Sequence, residues 1–373
     1  MSDWTATGSR NHAWKKEPIG SFFHLDSLAS LLDRVAGMVA SRPYLARALL
    51  LWEKVRGPCH PETAQIHNNL GYLRKQAGDL AGALPHFERA LVIWEQSLGL
   101  EHPDVAAGLN NLGALLKEMG NLGGARLYYR QALDIWQKVA GPDHPHTAVA
   151  LNNLGILHKE MGEYNRARPY LERALSIWQE AYGADHPEVA AGLNNLGQLW
   201  SDLGDFSRAR ASFERALAIW QNKLGRTHPD TLHALNNLGA LHCRIGDWAE
   251  ARPYLEQALA IRCRVLGQNH PATARTLNNL GHLHCALDDC AGARPFYERA
   301  LRAYESTYGP EHPATGQALC RLGMLLLQMG DEAGARPYLA RALPVYEMSL
   351  GPRHPDTRAL RHAFTLIQTS SYR

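Results

Sequence analysis

The sequence lacks an excess of charge of one sign, a long apolar run and a regular cysteine framework. Its 373 residues include 39 Lys and Arg against 36 Asp and Glu, a net charge of +3. That balance gives no electrostatic reason to expect a nucleic acid or an anionic membrane as a partner. No apolar run approaches the roughly 18 residues of a membrane-spanning helix. The six cysteines are irregularly spaced and form no disulfide framework, so a soluble, reduced, cytoplasmic protein is expected.

The sequence also lacks the local signatures of common enzyme families. It contains no Gly-x-x-x-x-Gly-Lys-Ser/Thr phosphate loop, no Gly-x-Ser-x-Gly elbow and no His-Glu-x-x-His pair. Such patterns hold a phosphate, a nucleophile or metal ligands at a fixed spacing. We therefore predict a protein that is not an enzyme and that uses no cofactor.

The sequence does contain a repeat of 42 residues that keeps its register over most of the chain. Each repeat opens with His-Pro, and in six of them Asn-Asn-Leu-Gly follows at a constant distance. A fixed period of about 20–50 residues is typical of a solenoid of stacked units, not of separate globular domains. The histidines that open the repeats are His60, His102, His144, His186, His228, His270, His312 and His354.

The residues within a repeat predict two helices. Proline directly after the histidine suits the first position of a helix, because its missing N–H would be unpaired there. Leu109, Leu112 and Leu116 then share one face of this first helix, and a glycine such as Gly120 ends it. An acidic residue such as Asp79 is placed to cap the second helix. Prolines inside the second helices predict a kink that recurs with the repeat.

These residues resemble the tetratricopeptide repeat. Leu70-Gly71, Ala83, Phe87 and Ala90 match the small and large packing positions of that motif. The 42-residue length, the Asn-Asn-Leu segment and the Leu-Gly-x-x-His-Pro connector resemble the repeats of kinesin light chain more narrowly. The resemblance implies an all-α fold, a right-handed α-solenoid superhelix of about eight helix pairs with a capping helix at the end.

The ends of the array follow from stacking, because a solenoid needs terminal units with one polar face. Residues 22–40 align as a degenerate first helix at an offset of 42 residues. At the other end, Arg358 and Arg361 lie on the polar side of a lone final helix. The predicted segments are an N-terminal extension over 1–20, the solenoid over 21–354, and a capping helix and tail over 355–373.

The asparagine pairs mark the face on which a ligand is expected. Asparagine is a poor helix former, so in mid-helix its side chain should point outward or bond another group. In the proteins that this chain resembles, first helices line a concave groove, and the resemblance implies that such asparagines bind the backbone of an extended peptide. A carboxamide both donates and accepts, which suits a peptide group of any sequence. The predicted peptide-binding residues are Asn68, Asn110, Asn152, Asn194, Asn236, Asn278, Tyr72, Lys75, Lys117, Lys159, Gln198 and Arg244.

Two of the repeated columns have structural interpretations that compete with ligand binding. One asparagine of each pair, in the column of Asn69, would bridge neighbouring helices. A column of tryptophans near the end of the second helices, which includes Trp94 and Trp136, could stack nucleic-acid bases. Without a basic excess, packing between repeats is the favoured role of this column, which Arg262 interrupts.

Three hypotheses for function remain. The first is a non-enzymatic adaptor that binds an extended segment of a partner protein, and the alternative is a regulatory or sensor subunit that controls an effector enzyme on a partner chain. The second alternative is a metal- or redox-responsive scaffold, because histidines and cysteines gather in the fifth to seventh repeats. Core packing is the favoured role of these residues, so no metal ligand is assigned. They are His242, Cys243, His282, His284, Cys285, Cys290 and Cys320.

Overall fold

The computed structural model describes residues 47, 49–76, 78–352 and 354–370. In these ranges the regular secondary structure is entirely helical, with residues 49–56 helical and fifteen helices after them. The helices are α1 (Pro61–Gln76), α2 (Leu80–Leu98), α3 (Pro103–Glu118), α4 (Leu122–Val139), α5 (Pro145–Glu160), α6 (Tyr164–Tyr182), α7 (Pro187–Asp202), α8 (Phe206–Lys223), α9 (Pro229–Ile245), α10 (Trp248–Val265), α11 (Pro271–Ala286), α12 (Cys290–Tyr308), α13 (Pro313–Gln328), α14 (Glu332–Ser349) and α15 (Pro355–Ser370).

The helices alternate as the repeat predicted. Odd-numbered helices up to α13 are the first helices of the repeats, and even-numbered helices are the second ones, so the described chain holds seven complete pairs before α15. The predicted extension over 1–20 and the predicted degenerate helix over 22–40 lie outside the described residues. None of the helices in the described ranges is long and apolar enough to cross a membrane. The all-α fold of stacked helix pairs is confirmed.

The first helices begin at the predicted positions because the histidine of each repeat caps them. Nδ1 of His102 accepts a hydrogen bond from the backbone N–H of Asp104 at 3.2 Å, and His186 accepts the equivalent bond from Glu188. This bond satisfies one of the amides that every helix start leaves unpaired. The structure thus gives these histidines a structural role. The same cap forms at His60, His144, His228, His270, His312 and His354.

Five of the seven second helices that the structure describes are capped by a short polar side chain at the N-terminus, the exceptions being α6 and α10. Oδ1 of Asp79 accepts a hydrogen bond from the backbone N–H of Gly82 at 2.9 Å, which starts α2. The helix passes through Pro85 without interruption and ends at Leu98. Pro85 lies past the first turn of α2, so its missing N–H forfeits the hydrogen bond to the carbonyl four residues earlier.

Residues with left-handed backbone separate the helices at a spacing of 21 residues, half of the repeat. Glycine suits these positions because it has no Cβ to clash with the backbone at positive φ. Gly246, with φ of 88°, closes the C-terminus of α9 in this way. The exception in the described chain is Asp288, which has φ of 59° between α11 and α12. The glycines are Gly57, Gly78, Gly99, Gly120, Gly141, Gly162, Gly183, Gly204, Gly225, Gly246, Gly267, Gly309, Gly330 and Gly351.

The chain divides into two compact units, residues 1–154 and 155–373. In the first unit, α1 packs on α2, α2 on α3 and α3 on α4. Phe87 and Leu112 are buried in the core of this unit. A Cβ atom at Gly113 would lie 2.7 Å from the ring of Tyr129, so the repeated Leu-Gly lets the second helix approach the first closely.

The second unit contains the same consecutive packing from α6 to α15. Its last helix contributes Leu360 and Ile367 to a core cluster that also holds Leu339 of α14. Arg336 of α14 donates a hydrogen bond to the backbone carbonyl of Ile367 at 3.1 Å. The α15 helix therefore covers α14 at the place where the sequence predicted a capping helix.

Candidate functional site

Asparagines of neighbouring repeats bond to one another along the first helices. In each bond, the second asparagine of one repeat donates its amide N–H to the carboxamide oxygen of the first asparagine in the preceding repeat, 43 residues earlier. We call this set of bonds the asparagine ladder. Its bonds run from Asn111 to Asn68 (2.7 Å), from Asn153 to Asn110 (3.4 Å), from Asn237 to Asn194 (2.8 Å) and from Asn279 to Asn236 (3.2 Å).

The ladder changes the chemistry that the first asparagines offer to a ligand. The sequence predicted bridging for the second asparagine of a pair, but the first asparagine bridges as well, through its oxygen. The oxygens of Asn68 and Asn110 are therefore already occupied, because the next first helix lies within hydrogen-bond distance. In the described chain, the amide N–H groups of these two side chains donate no hydrogen bond. These side chains therefore offer a ligand their amide donors, and each oxygen keeps one further lone pair.

The ladder is more accessible in the first unit than in the second. Asn194, Asn236 and Asn278 have exposed fractions of 6%, 2% and 8%. Asn68 and Asn110 are half-buried. A ligand would therefore meet the asparagine column most readily in the first unit.

In the first unit, the ladder forms part of the lining of a cavity of about 400 Å³. The side chains of Trp94 and Trp136, from the second helices, also line it. The cavity combines amide groups with aromatic and aliphatic surface. Its lining residues are Gln65, Asn68, Trp94, Pro103, Asp104, Ala107, Asn110, Asn111, Ala114, Trp136, His146, Val149 and Asn153.

The other predicted peptide-binding residues of the first unit differ in exposure and in their contacts with the rest of the chain. Lys75 Nζ lies 2.9 Å from Glu118 Oε1, an ion pair that joins α1 to α3. Tyr72 is 51% exposed. Lys117 and Asn152 are half-buried on α3 and α5 and interact with other groups of the chain. The exposed tyrosine is thus the most open of these side chains.

In the second unit, the predicted polar residues bond to the neighbouring first helix. Lys159 donates to Gln198 Oε1 at 2.7 Å. Arg244 donates to Ser201 Oγ at 2.8 Å and to Asp202 Oδ1 at 3.2 Å. These positions, which the sequence assigned to a ligand, therefore also hold successive repeats together.

The tryptophan column packs between repeats, and the residue that interrupts it is the feature that sequence reasoning missed. Trp178 and Trp220 are only 2% and 3% exposed. Arg262 takes the same position in α10, is fully buried and donates to Thr276 Oγ1 at 2.6 Å. Arg275 lies beside it and acts on its charge. The break in the column was the available signal, but an isolated substitution does not reveal what surrounds it.

The histidines and cysteines of the fifth to seventh repeats do not form a metal site. Cys243 is buried, and burial raises the pKa of its thiol to about 11. His282 is exposed, whereas the Sγ of Cys285 lies 3.8 Å from Tyr297 Oη. Among the residues that the structure describes, no three His, Cys, Asp or Glu side chains are grouped so that they could hold a metal ion. The metal-responsive alternative therefore receives no support from the structure.

A family model described as Tetratricopeptide repeat matches the chain in seven overlapping segments. The chain belongs to the tetratricopeptide repeat family. The resemblance drawn from the Leu-Gly and alanine positions is thereby confirmed. The matched segments are residues 28–91, 65–138, 104–177, 157–222, 201–264, 231–306 and 272–348.

Solved structures similar to this chain include kinesin light chain-like repeat proteins. BtubC (BKLC) from P. vanneervenii is 28% identical over 62% of this chain and 91% of its own, with a TM-score of 0.49. A Podosopora anserina chain described as a kinesin light chain with nearly identical TPR-like repeats is 24% identical over 56% of this chain and 98% of its own, with a TM-score of 0.46. A Rap protein complexed with Competence and Sporulation Factor is 16% identical over 87% of this chain and 84% of its own, with a TM-score of 0.65. No curated protein sequence matches the chain significantly.

Proposed function

We propose that this protein is a non-enzymatic adaptor that binds an extended segment of a partner protein along its first helices. The observation that carries the proposal is the cavity of the first unit, where the donors of Asn68 and Asn110 stand beside Trp94 and Trp136. A concave, largely apolar site with a few convergent polar groups is typical of ligand binding. The donors would hold the backbone of the segment, and the aromatic surface would contact its side chains.

The spacing of the asparagines suits an extended chain. First helices of neighbouring repeats lie about 10 Å apart at ordinary helix-packing distances. An extended segment advances about 3.3 Å per residue, so successive asparagines would meet about every third backbone carbonyl. Since every residue carries that carbonyl, these contacts fix the path of the segment without selecting its sequence. Selection would come from side chains such as Tyr72, which is exposed on α1.

Family membership supports this proposal. Tetratricopeptide repeats stack into an extended surface that a solenoid uses for binding. The Rap protein described above is solved with Competence and Sporulation Factor, and the Rap conjugation gene regulator of plasmid pLS20 is solved with the Phr* peptide. Their likeness to this chain is one of fold, so the ligand chemistry proposed here rests on the asparagines and the cavity.

The doubly substituted variant Asn68→Asp/Asn110→Asp tests the proposal. Aspartate keeps an oxygen that accepts the ladder bond but replaces the N–H donors with a second acceptor. Partner segments would first be identified by pull-down from the native host and mass spectrometry, then synthesised for titration. We expect the variant to stay folded and to lose binding of these segments.

The matched control is Asn222→Asp, which makes the same charge change at an exposed position of α8. It should bind the synthetic segments like the wild type. Equal affinity in the Asn68→Asp/Asn110→Asp variant and the control would place the binding surface elsewhere and overturn the proposal.

A regulatory subunit that acts on an effector enzyme would use the same face. The pull-down separates the two roles, because a co-purified enzyme whose activity changes when the face is occupied would identify regulation. We place the protein in the cytoplasm, since all six of its cysteines are free thiols and a reducing compartment keeps them so.

A further inference from the structure

The second unit contains a buried guanidinium group that no carboxylate among the described residues compensates. Arg262 is fully buried and donates to neutral acceptors: the Ala272 carbonyl at 2.7 Å, Thr276 Oγ1 at 2.6 Å and the Leu232 carbonyl at 3.0 Å. Its Nε atom is buried without a hydrogen-bond partner in the described chain. Buried charges in proteins are normally paired, because desolvation is costly without an opposite charge.

A second cation adjoins the first. Arg275 also has buried Nε and Nη2 atoms that find no hydrogen-bond partner among the described residues. Burial, and then the charge of Arg275, lower the pKa of Arg262 to about 9. Burial, and then the charges of Arg275 and Arg262, lower the pKa of His233 to about 3. The two guanidinium groups therefore form a positive centre, and their charge disfavours protonation of the neighbouring His233.

This positive centre occupies the positions that line the cavity in the first unit. Arg275 stands where Ala107 stands in the earlier repeat, and Arg262 stands where Trp94 stands, four repeats apart in each case. Arg275 is partly exposed although its Nε and Nη2 atoms are buried, so a ligand on the same face of the first helices can reach the outer part of this side chain. Two cations thus replace two neutral residues of the lining in the first unit.

The end of the asparagine ladder lies at the same place. Asn278 would accept a hydrogen bond from position 321, but that position holds an exposed arginine instead of asparagine. The Oδ1 atom of Asn278 is consequently buried without a partner in the described chain. Its side chain lies close to Tyr304, which is also near Arg262 and Arg275. The interruption of both columns coincides with the two unpaired guanidiniums.

We propose that Arg262 and Arg275 form a binding site for an oxyanion, carboxylate or phosphate. Guanidinium groups present several N–H donors in a fixed fork that matches such an anion and gives strong charge-assisted bonds. The anion can come from an acidic residue or terminal carboxylate of a bound protein segment, a source that rests on the proposed function. The anion can also be a free ion, and that source does not depend on the proposed function. Arg275 makes the first contact, and Arg262 supplies the second charge from beneath.

Calorimetric titration of the full chain at low ionic strength tests this site with two probes, inorganic phosphate and penta-glutamate. The variant is Arg275→Gln, and the control is Arg264→Gln, which removes the same charge from an exposed position of α10. We expect at least one probe to bind the wild type and the control, and to bind Arg275→Gln about tenfold or more weakly. Penta-glutamine measures any peptide binding that does not depend on charge.

The outcomes separate the two sources of the anion. Binding of penta-glutamate alone assigns the site to a carboxylate on a partner segment, and binding of phosphate alone assigns it to a free ion. Binding of neither probe, or equal affinity in Arg275→Gln and Arg264→Gln, would overturn the proposal. The Asn68→Asp/Asn110→Asp variant should bind phosphate like the wild type, so failure of the adaptor proposal is measured separately.

A second variant distinguishes a binding role from a structural one. Arg262→Trp restores the residue of the earlier repeats and removes the buried charge. We expect its Tm without anion to exceed that of the wild type, because replacing an uncompensated buried ion by a hydrophobic residue is often stabilising. We also expect it to lose affinity for whichever probe binds the wild type. A lower Tm with unchanged probe affinity would show that Arg262 serves only the packing and would overturn its place in the site.

Discussion

The side-chain amide of Asn111 lies 2.7 Å from the carboxamide oxygen of Asn68 and so joins the first helices of two neighbouring repeats. The bond spans 43 residues, one more than the repeat. Arg244 and Ser201 are bonded at the same offset in the second unit. Polar pairs of this kind make each first helix depend on the next.

Removing the donor of this pair should destabilise the first unit. Asn111→Ala leaves Asn68 without its partner, and we expect a loss of about 1 kcal/mol in the free energy of unfolding. Urea denaturation followed by circular dichroism measures it. Asn222→Ala, at an exposed position, is the control and should change stability by less than about 0.5 kcal/mol. Equal stabilities would show that the bond contributes nothing.

The close approach of the two helices in a repeat predicts opposite effects for two glycines. Gly113→Ala places a methyl group 2.7 Å from the ring of Tyr129, and overpacking of this kind costs about 1–3 kcal/mol. Gly123→Ala meets nothing closer than Asn121 Oδ1 at 4.0 Å, and alanine favours the helix by about 0.5–1 kcal/mol. Thermal melts should therefore give a lower Tm for the first variant and an unchanged or higher Tm for the second. Similar losses in both would contradict this packing.

The left-handed position held by Asp288 predicts a stabilising substitution. Asp288→Gly removes the Cβ at φ of 59°, and we expect a gain of about 1 kcal/mol in the free energy of unfolding. The converse change, Gly246→Asp at φ of 88°, should lower it. Urea denaturation of both variants measures the difference. A destabilised Asp288→Gly variant would mean that the aspartate side chain contributes more than its backbone strain costs.

The pair of His67 and His86 predicts that stability falls in mild acid. Their Nδ1 atoms are 3.0 Å apart, and burial, followed by the charges of His86 and Arg89, lowers the pKa of His67 from 6.5 to about 4. The unfolded chain therefore binds more protons between these values, so stability is full above pH 6.5 and is lost as the pH falls towards 4. Denaturation at several pH values measures this slope.

Replacing His67 by leucine, the residue of the next repeats, isolates its contribution. His67→Leu removes a group that must be neutral in the fold, so its stability should depend less on pH between 6.5 and 4 than that of the wild type. An identical slope in both proteins would show that other groups cause the loss in acid.

The repeat made the fold predictable to the level of individual helix ends. His-Pro marks the first position of each first helix, and the end of α2 at Leu98 follows from Gly99. Side-chain partners were harder to predict. Whether Asn68 bonds to a residue 42 or 43 positions later depends on how neighbouring first helices are rotated and inclined against each other, which the period alone does not determine. The surroundings of Arg262 were hidden for the same reason, because its contacts come from residues 10, 14 and 30 positions away.

The exact recurrence of left-handed residues every 21 positions also bears on how such a gene can change in length. Two such intervals make one repeat, so deletion or duplication of one whole repeat returns the chain to the same backbone phase. The new junction would again place an asparagine 43 residues after its acceptor, as at Asn68 and Asn111. Unequal recombination between repeats therefore preserves the backbone pattern when it adds or removes 42 codons. An insertion of a few codons inside a helix instead rotates every later side chain of that helix around the helix axis. The coding sequence can thus lengthen or shorten the binding surface in whole steps.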